Sequence, residues 1–183
     1  MKKNDELTTI SKFMSLVLRH QPRHIGLELD GAGWADIDDL LARAAAAGRA
    51  ITRDQLNEVV ATSDKRRFAL SDDGTRIRAN QGHSIEVDLG LAPLRPPESL
   101  FHGTASRFVD SILATGLERR SRHHVHLTES ATTAEAVGRR YGQLVMLRIA
   151  SGAMAAQGHV FFRSANDVWL VESVPPRFIE VVA

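Results

Sequence analysis

Cysteine is absent from this chain of 183 residues. Disulfide bridges, zinc–thiolate sites and cysteine nucleophiles are therefore excluded. Stability has to come from a hydrophobic core, and the apolar content of 43% is ordinary for a globular protein and sufficient for one. The length fits one domain or two small lobes.

Long hydrophobic runs are absent as well. No apolar stretch approaches the ~20 residues that a transmembrane helix needs. The charged segment Met1–Glu6 also lacks the apolar region of a signal peptide. We therefore expect a soluble, cytoplasmic protein without a membrane partner. Nothing in the sequence indicates an obligate oligomer, so we expect a monomer.

Charge of one sign is not in excess. The formal net charge is +1 and the sequence pI is about 8.3, which is too little to indicate nucleic-acid binding through bulk charge. An anion site must then be a local cluster of cations. Such clusters occur at Lys65–Arg67, Arg76 with Arg78, Arg119–Arg122 and Arg139 with Arg140.

Several common site motifs are missing. The sequence has no Walker A loop, no G-x-G-x-x-G motif and no G-x-S-x-G nucleophile elbow. His123, His124 and His126 resemble a metal-ligand cluster, but no carboxylate lies near enough in sequence to complete it. We therefore expect no metal.

Apolar periodicity in the first half predicts three helices and a β-hairpin. The first helix carries its stripe from Leu7 to Leu18 and ends before Pro22, and the third begins at the capping-box spacing of Thr52 and Gln55. The other predicted elements are a helix from Ile37 to Ala45, closed by Gly48, and strands at Phe68–Leu70 and Arg76–Ala79. This order predicts a winged-helix lobe over residues 1–92.

The second half begins with a stiff, proline-rich linker at Leu91–Pro97. A strand-rich lobe is predicted over residues 98–183, so the fold class is α+β. The predicted strands are Leu100–His102, Val125–Leu127, Leu144–Leu147, Val160–Phe162, Val168–Val171 and Ile179–Val182, with helices at Phe108–Gly116 and Thr132–Arg140.

Polar residues recur where the predicted elements end. These clusters are Arg19–His20, Arg66–Arg67, Asn80–Ser84 and Arg122–His126. The planar guanidinium of arginine fits phosphate oxygens in pairs, and histidine titrates near neutral pH. If three clusters meet, they form a pocket that stabilises the charge of a phosphate during phosphoryl chemistry.

The tripeptide His102-Gly103-Thr104 is predicted to form a turn between a strand and a helix. A glycine there allows the backbone to approach a ligand closely, and backbone amides and the threonine hydroxyl supply hydrogen bonds.

Taken together and in order, these segments resemble the KptA-type RNA 2′-phosphotransferases. The resemblance covers most of the chain, although Thr128 stands where a serine is expected in the family. The matching strings are Ser11–Pro22, Lys65–Phe68, Ile77–Ser84, Leu100–Thr104 and Ser121–Leu127.

The resemblance implies a winged-helix N-terminal lobe and a C-terminal lobe with an ADP-ribosyltransferase fold that binds most of an NAD molecule. It implies removal of an internal 2′-phosphate from RNA, such as the one left by some tRNA-splicing ligations, through an ADP-ribosylated 2′-phosphate. The products would be RNA with a free 2′-OH, ADP-ribose 1″,2″-cyclic phosphate and nicotinamide. NAD would be consumed as co-substrate, and no metal would be required.

The resemblance also implies roles for individual residues. Arg19, His20, Arg67 and Arg122 would form a catalytic tetrad in which the arginines clamp the phosphate. His20 would transfer a proton or position the phosphate in the second step. The residues expected at NAD are His102, Gly103, Thr104, His126 and Thr128, and those expected to line the substrate cleft are Asn80, Gln81, Gly82, His83 and Ser84.

Two alternatives stay open at this point. A winged-helix regulator of nucleic acid would need a basic recognition helix, whereas the third helix carries Arg53, Asp54 and Glu58. An ADP-ribosyltransferase that modifies terminal phosphates of nucleic acid would keep the same fold. Modification of protein acceptors is less favoured, because Glu129 and Glu172 lie in no motif that indicates a catalytic glutamate.

Overall fold

The structure, a computed structural model, describes residues 3–63 and 65–182, so that residues 1, 2 and 183 at the ends of the predicted lobes lie outside it, as does residue 64. The chain divides into two units, Met1–Gly90 and Leu91–Ala183. Helices and small antiparallel sheets occur in the chain, so the α+β class is confirmed.

The first unit consists of helices followed by a hairpin. Its second and third helices begin at hydrogen-bonded caps, since the Asp36 carboxylate accepts from the Asp39 amide and Thr52 forms the predicted capping box with Gln55. The elements are α1 (Lys3–Arg19), β1 (Ala35–Asp36), α2 (Ile37–Ala46), α3 (Arg53–Thr62), β2 (Phe68–Leu70) and β3 (Arg76–Ala79).

The predicted hairpin is confirmed, and it gains a third strand. β2 pairs with β3 in antiparallel register, and β1 pairs with the other edge of β3. Ile77 and Ala79 of β3 are buried, whereas Arg76 and Arg78 are not, because side chains alternate between the two faces of a strand. The inner face packs on a core that includes Met14, Leu18, Leu40 and Leu56.

The second unit is richer in strands. Its elements are β4 (Leu100–Ala105), α4 (Val109–Thr115), β5 (Leu117–Glu118), β6 (Val125–Leu127), α5 (Ala131–Gly138), β7 (Leu144–Ile149), α6 (Ser151–Ala156), β8 (Phe161–Arg163), β9 (Trp169–Val171), β10 (Ser173–Val174) and β11 (Ile179–Val182). These strands form sheets of order β11-β7-β4, β6-β9-β8 and β10-β5. The core of the unit includes Leu100, Leu147, Ile149 and Phe161.

The turn predicted at His102-Gly103-Thr104 is wrong. β4 continues through these residues to Ala105 and pairs with β7 along its whole length. The absent side chain of Gly103 admits α5 instead, since a Cβ there would lie 1.8 Å from the Ala134 carbonyl oxygen. The glycine therefore reflects close packing of a helix on a strand.

α6 has no counterpart among the predicted elements. It is a short helix of small residues, so it lacks the apolar period by which a helix is found in a sequence. It is tied to the start of the unit, because the Ser151 hydroxyl donates to the Pro97 carbonyl (2.6 Å) and the Gly152 amide donates to the Glu98 carbonyl (3.1 Å). Among the described residues, no helix has both the length and the apolar character that crossing a membrane requires.

Candidate active site

The end of α1 presents Arg19 and His20. The amides of His20 and Gln21 both donate to the Leu16 carbonyl, at 3.0 and 2.9 Å, and Pro22 has no amide with which to continue the helix. The helix therefore ends at Arg19, which is partly buried. His20, the next residue, is exposed.

Arg19 is held against the beginning of β2. Its Nη2 donates to the Arg67 carbonyl at 3.3 Å, and its guanidinium lies 5.9 Å from the centre of the Phe68 ring. The Arg67 carbonyl also accepts the amide of Asn80 at 2.9 Å. The backbone of Arg67 is thus fixed by the helix end on one side and by the segment that follows β3 on the other.

The segment after β3 closes on the same place. The Asn80 side chain is buried, and its Nδ2 donates to the Arg66 carbonyl at 2.6 Å. The Ser84 amide donates to the Arg19 carbonyl at 2.9 Å, and the Ser84 hydroxyl lies 2.9 Å from His20 Nδ1. Which atom donates in the second contact depends on the imidazole tautomer.

Five of the predicted residues therefore meet within the first unit. They form a cluster that joins the Arg19 guanidinium, the His20 imidazole, the Asn80 amide and the Ser84 hydroxyl around backbone carbonyls, and Arg67 enters it through its carbonyl: Arg19, His20, Arg67, Asn80 and Ser84. Gln81 and Gly82 are partly buried in the connecting segment, and Gly82 needs its glycine because its φ is 87°. His83 is buried beside Gly33, on the interior side of the unit.

In the second unit, Phe101 of β4 forms a short bridge with Thr128, the residue after β6. Their backbones exchange hydrogen bonds of 2.8 and 3.1 Å. This bridge brings His102 next to His126. The His102 Nδ1–H donates to the His126 carbonyl at 3.1 Å, because a carbonyl oxygen only accepts. The Nε2 of neutral His102 is then a hydrogen-bond acceptor.

Arg122 joins the two histidines. It is exposed on the loop before β6, and its Nη1 donates to His126 Nδ1 at 3.3 Å. A guanidinium cannot accept, so His126 Nδ1 is the acceptor in this contact. A chain of contacts thus runs from Arg122 through His126 to His102. Thr128 lies beside this chain, at the bridge to Phe101.

Burial lowers the pKa of His102, and the positive charge of Arg122 lowers it further. His102 is therefore neutral at pH 7. Burial likewise lowers the pKa of His124, with smaller effects from His123 and Arg119 in the same direction. His124 packs edge-on against Phe162 with ring centres 5.6 Å apart.

The three residues predicted at the turn have separate environments. His102 reaches the contacts just described, whereas Gly103 packs on α5 and Thr104 is buried at 5% exposure. Within residues 3–63 and 65–182 no group of three or more histidine, aspartate or glutamate side chains is arranged to hold a metal ion.

Sequence reasoning missed two features of the site. The first is the carbonyl of Arg66, which binds Asn80 because Arg66 adopts a positive φ of 39°, and no pattern in the sequence marks such a residue. The second is Glu129, next to Thr128, whose carboxylate accepts from Trp169 Nε1 at 2.8 Å. Both contacts join residues distant in sequence, so periodicity does not reveal them.

The model of the family described as "RNA 2'-phosphotransferase, Tpt1 / KptA family" matches residues 5–173. A protein of Hahella chejuensis named "Probable RNA 2'-phosphotransferase" is 54% identical over 97% of this chain and 95% of its own length. Proteins with the same name from Pseudomonas aeruginosa and Rhodopirellula baltica are 58% and 52% identical. These matches cover 94% and 98% of this chain, and 96% and 98% of the relatives.

Proposed function

Because the chain belongs to the RNA 2′-phosphotransferase, Tpt1/KptA family and is thus a transferase that removes the 2′-phosphate of RNA, we propose that it acts on an internal 2′-phosphate with NAD as co-substrate. The RNA 2′-phosphate attacks the nicotinamide ribose and is ADP-ribosylated as nicotinamide leaves. The 2″-hydroxyl then attacks the phosphorus, the bond to the RNA 2′-oxygen breaks, and the products are RNA with a free 2′-OH and the 1″,2″-cyclic ester. The first unit is proposed to be a winged-helix lobe and the second an ADP-ribosyltransferase-like lobe.

The observation that carries this proposal is the cluster at the end of α1. The Arg19 guanidinium contacts the Arg67 carbonyl and His20 contacts Ser84, so the Arg19 guanidinium, the His20 imidazole and the Arg67 backbone lie in one cluster. Guanidinium groups form paired, charge-assisted hydrogen bonds to phosphate oxygens. Arg19 and Arg67 are proposed to hold the 2′-phosphate and to stabilise the charge that develops on it.

The chemistry of the second unit fits NAD. The His102 Nε2 acceptor suits a ribose hydroxyl, and the Arg122 guanidinium suits a phosphate oxygen. NAD supplies an activated ribose with nicotinamide as leaving group. His102, His126 and Thr128 are proposed to contact NAD, together with backbone groups of Gly103 and Thr104. Arg122 is proposed to act on the phosphate that is transferred.

His20 is the proposed proton-transfer residue. It is exposed at the end of α1, and its Nδ1 is oriented by the Ser84 hydroxyl. An imidazole at this place can accept or donate a proton in general acid–base catalysis. Asn80 is proposed to support the loop and Ser84 to orient the imidazole, with Gln81, Gly82 and His83 connecting them.

The test compares matched RNA substrates. An oligoribonucleotide with one internal 2′-phosphate should release nicotinamide from NAD without added metal. The same oligonucleotide with only a 5′- or 3′-terminal phosphate should not. Preferential reaction at terminal phosphates would replace the proposal with the ADP-ribosylation of nucleic-acid ends.

Neighbouring arginines provide a control for the site. Arg67→Gln should lower turnover of the 2′-phosphorylated RNA by about 10²–10³-fold, the usual loss when one donor to a transition-state oxyanion is removed. Arg66→Gln removes the same charge one residue earlier and leaves the Arg66 carbonyl that binds Asn80 in place. It should have little effect, because the proposal assigns the phosphate contact to the Arg67 side chain. Equal losses in the two variants would contradict the assignment.

A further inference from the structure

We propose that a cleft beside Trp34 in the first unit binds the RNA strand adjacent to the 2′-phosphorylated nucleotide. This inference rests on the proposed function and specifies where the rest of the substrate lies. The cleft has a volume of about 510 Å³, which is within the range of sites for small organic groups and large enough for a nucleotide. It is lined by Trp34, Ala69, Leu70, Ser71, Asp72, Asp73, Arg76 and Arg78.

The cleft offers flat surfaces to a nucleobase. The guanidinium groups of Arg76 and Arg78 lie 5.4 and 4.6 Å from the Trp34 ring, so both stack on the indole. Ala69 and Leu70 supply apolar surface beside them. Bases of single-stranded nucleic acid stack on aromatic side chains and on guanidinium planes, with little dependence on sequence.

Arg78 has positive charge available for a phosphate. Within residues 3–63 and 65–182, its guanidinium makes no ion pair, and its buried Nε has no hydrogen-bond partner. Arg76 is 3.4 Å from the Asp30 carboxylate, but both side chains are about half exposed. Such a surface pair contributes little and is readily exchanged for a ligand oxygen.

The aspartates on the rim favour a diester over free phosphate. Asp73 accepts from the Ser71 and Thr75 hydroxyls and from the Thr75 amide, so it closes the hairpin turn. Its charge and that of Asp72 oppose a free dianion close by. A phosphodiester carries one negative charge and brings a base that stacks, which matches an RNA strand.

β3 leads from this cleft to the candidate active site. Arg76 and Arg78 lie on one face of β3, and Asn80, the residue after the strand, donates its backbone amide to the Arg67 carbonyl. Four residues of extended strand cover about 13 Å. This corresponds to roughly two to four nucleotides of a single strand at about 3.4 Å or more per nucleotide.

Substrate length provides the test. A dinucleotide with an internal 2′-phosphate and versions extended by four nucleotides on the 5′ or the 3′ side are bound without NAD, so that no turnover occurs. The variants are Trp34→Leu and Arg78→Gln. The control is Arg49→Gln, which removes an arginine that stacks on Phe13 away from the cleft residues. Dissociation constants are measured by fluorescence anisotropy.

We expect lengthening on one side to tighten binding to the unaltered protein and to the control. In both cleft variants, the gain in affinity that lengthening gives should be about tenfold smaller, because base stacking and one phosphate contact are lost. Binding of the dinucleotide should be unchanged. In Arg78→Gln the slope of log K against log salt should decrease by about 0.7 for the extended strand.

Three results would overturn the inference. In the first, lengthening the RNA does not tighten binding to the unaltered protein. In the second, both cleft variants keep the full gain in affinity from lengthening. In the third, the variants weaken binding of the dinucleotide and of the extended strands equally. Arg78→Lys, which retains charge without the planar stack, serves in place of Arg78→Gln if thermal melting shows that variant unfolded. Failure of the proposed function is distinct, because the unaltered protein would then bind the dinucleotide no better than its 2′-hydroxyl counterpart.

Discussion

Arg122 is exposed, and its guanidinium contacts the Nδ1 of His126. Exposed side chains contribute little to stability, so Arg122→Ala should change the free energy of unfolding by no more than about 0.5 kcal/mol. Its kcat on 2′-phosphorylated RNA should nevertheless fall by about 10²–10³-fold, since the proposed donor to the transition state is removed. Arg122→Lys should restore only part, because an ammonium cannot form the paired contact.

Arg120→Gln is the matched control for Arg122, since Arg120 is an exposed arginine two residues away in the same loop. It should keep the kcat of the unaltered protein. If Arg122→Ala were as active as this control, Arg122 would have no role in phosphate transfer.

His20 and Ser84 make a contact that is specific enough to test the second step. His20→Ala should release nicotinamide yet accumulate RNA that is ADP-ribosylated on its 2′-phosphate, which intact-mass analysis detects. Ser84→Ala should show a weaker form of the same effect, because the imidazole remains but loses its orienting hydroxyl. His24→Ala removes another exposed histidine just after α1 and should behave as the unaltered protein. Loss of nicotinamide release in His20→Ala would place His20 in the first step instead.

The lowered pKa of His102 predicts a pH dependence of stability. The unfolded chain binds a proton near the ordinary pKa of 6.5, whereas the folded chain resists it because of burial and Arg122. The contribution of His102 is therefore fully present above pH 6.5 and is lost as the pH falls through the folded pKa. The free energy of unfolding, measured in urea, should decrease between pH 7.5 and 5.5.

His102→Gln keeps a donor for the His126 carbonyl but does not titrate. Its free energy of unfolding should fall less over that pH range than in the unaltered protein, with His124 accounting for part of the remaining decrease. Identical decreases in the two proteins would show that His102 is not resistant to protonation.

At the scale of elements, α5 and β4 approach each other through Gly103. Gly103→Ala would place a Cβ against the Ala134 carbonyl, and backbone has to move to admit it. Overpacking of this kind costs about 1–3 kcal/mol or more. Gly31→Ala is the control, because no atom lies within 4 Å of a Cβ at Gly31 and its φ is not positive. Equal stability of the two variants in urea unfolding would contradict the packing role.

The elements that the sequence predicted correctly have strong local signals. α3 begins at a capping box, and the hairpin has the turn Asp72-Asp73-Gly74 between the apolar run Phe68–Leu70 and the alternating segment Arg76–Ala79. β1 and α6 were missed because two strand residues, or a helix of six residues of which five are small, carry no measurable period. Gly103 was misread because a glycine between a strand and a helix is the same signal for a turn and for a close packing contact.

At the scale of the whole molecule, the ordered set of segments was sufficient to identify the family, which the match over residues 5–173 confirms. Within the first unit, the residues predicted at the ends of α1 and of the hairpin strands lie in contact, namely Arg19, His20, Arg67, Asn80 and Ser84. The sequence could not give the contacts of His126 with His102 and Arg122, because these join β4, β6 and the loop before β6. The use of NAD and the roles of the site residues remain predictions.

The fate of the transferred phosphorus tests the central proposal most directly. The protein is mixed with NAD and an oligoribonucleotide that carries one internal 2′-phosphate, without added metal, and the products are identified by mass spectrometry. The account predicts RNA with a free 2′-OH, nicotinamide and ADP-ribose 1″,2″-cyclic phosphate in equal amounts. Release of inorganic phosphate with NAD left intact would show hydrolysis instead and would contradict it.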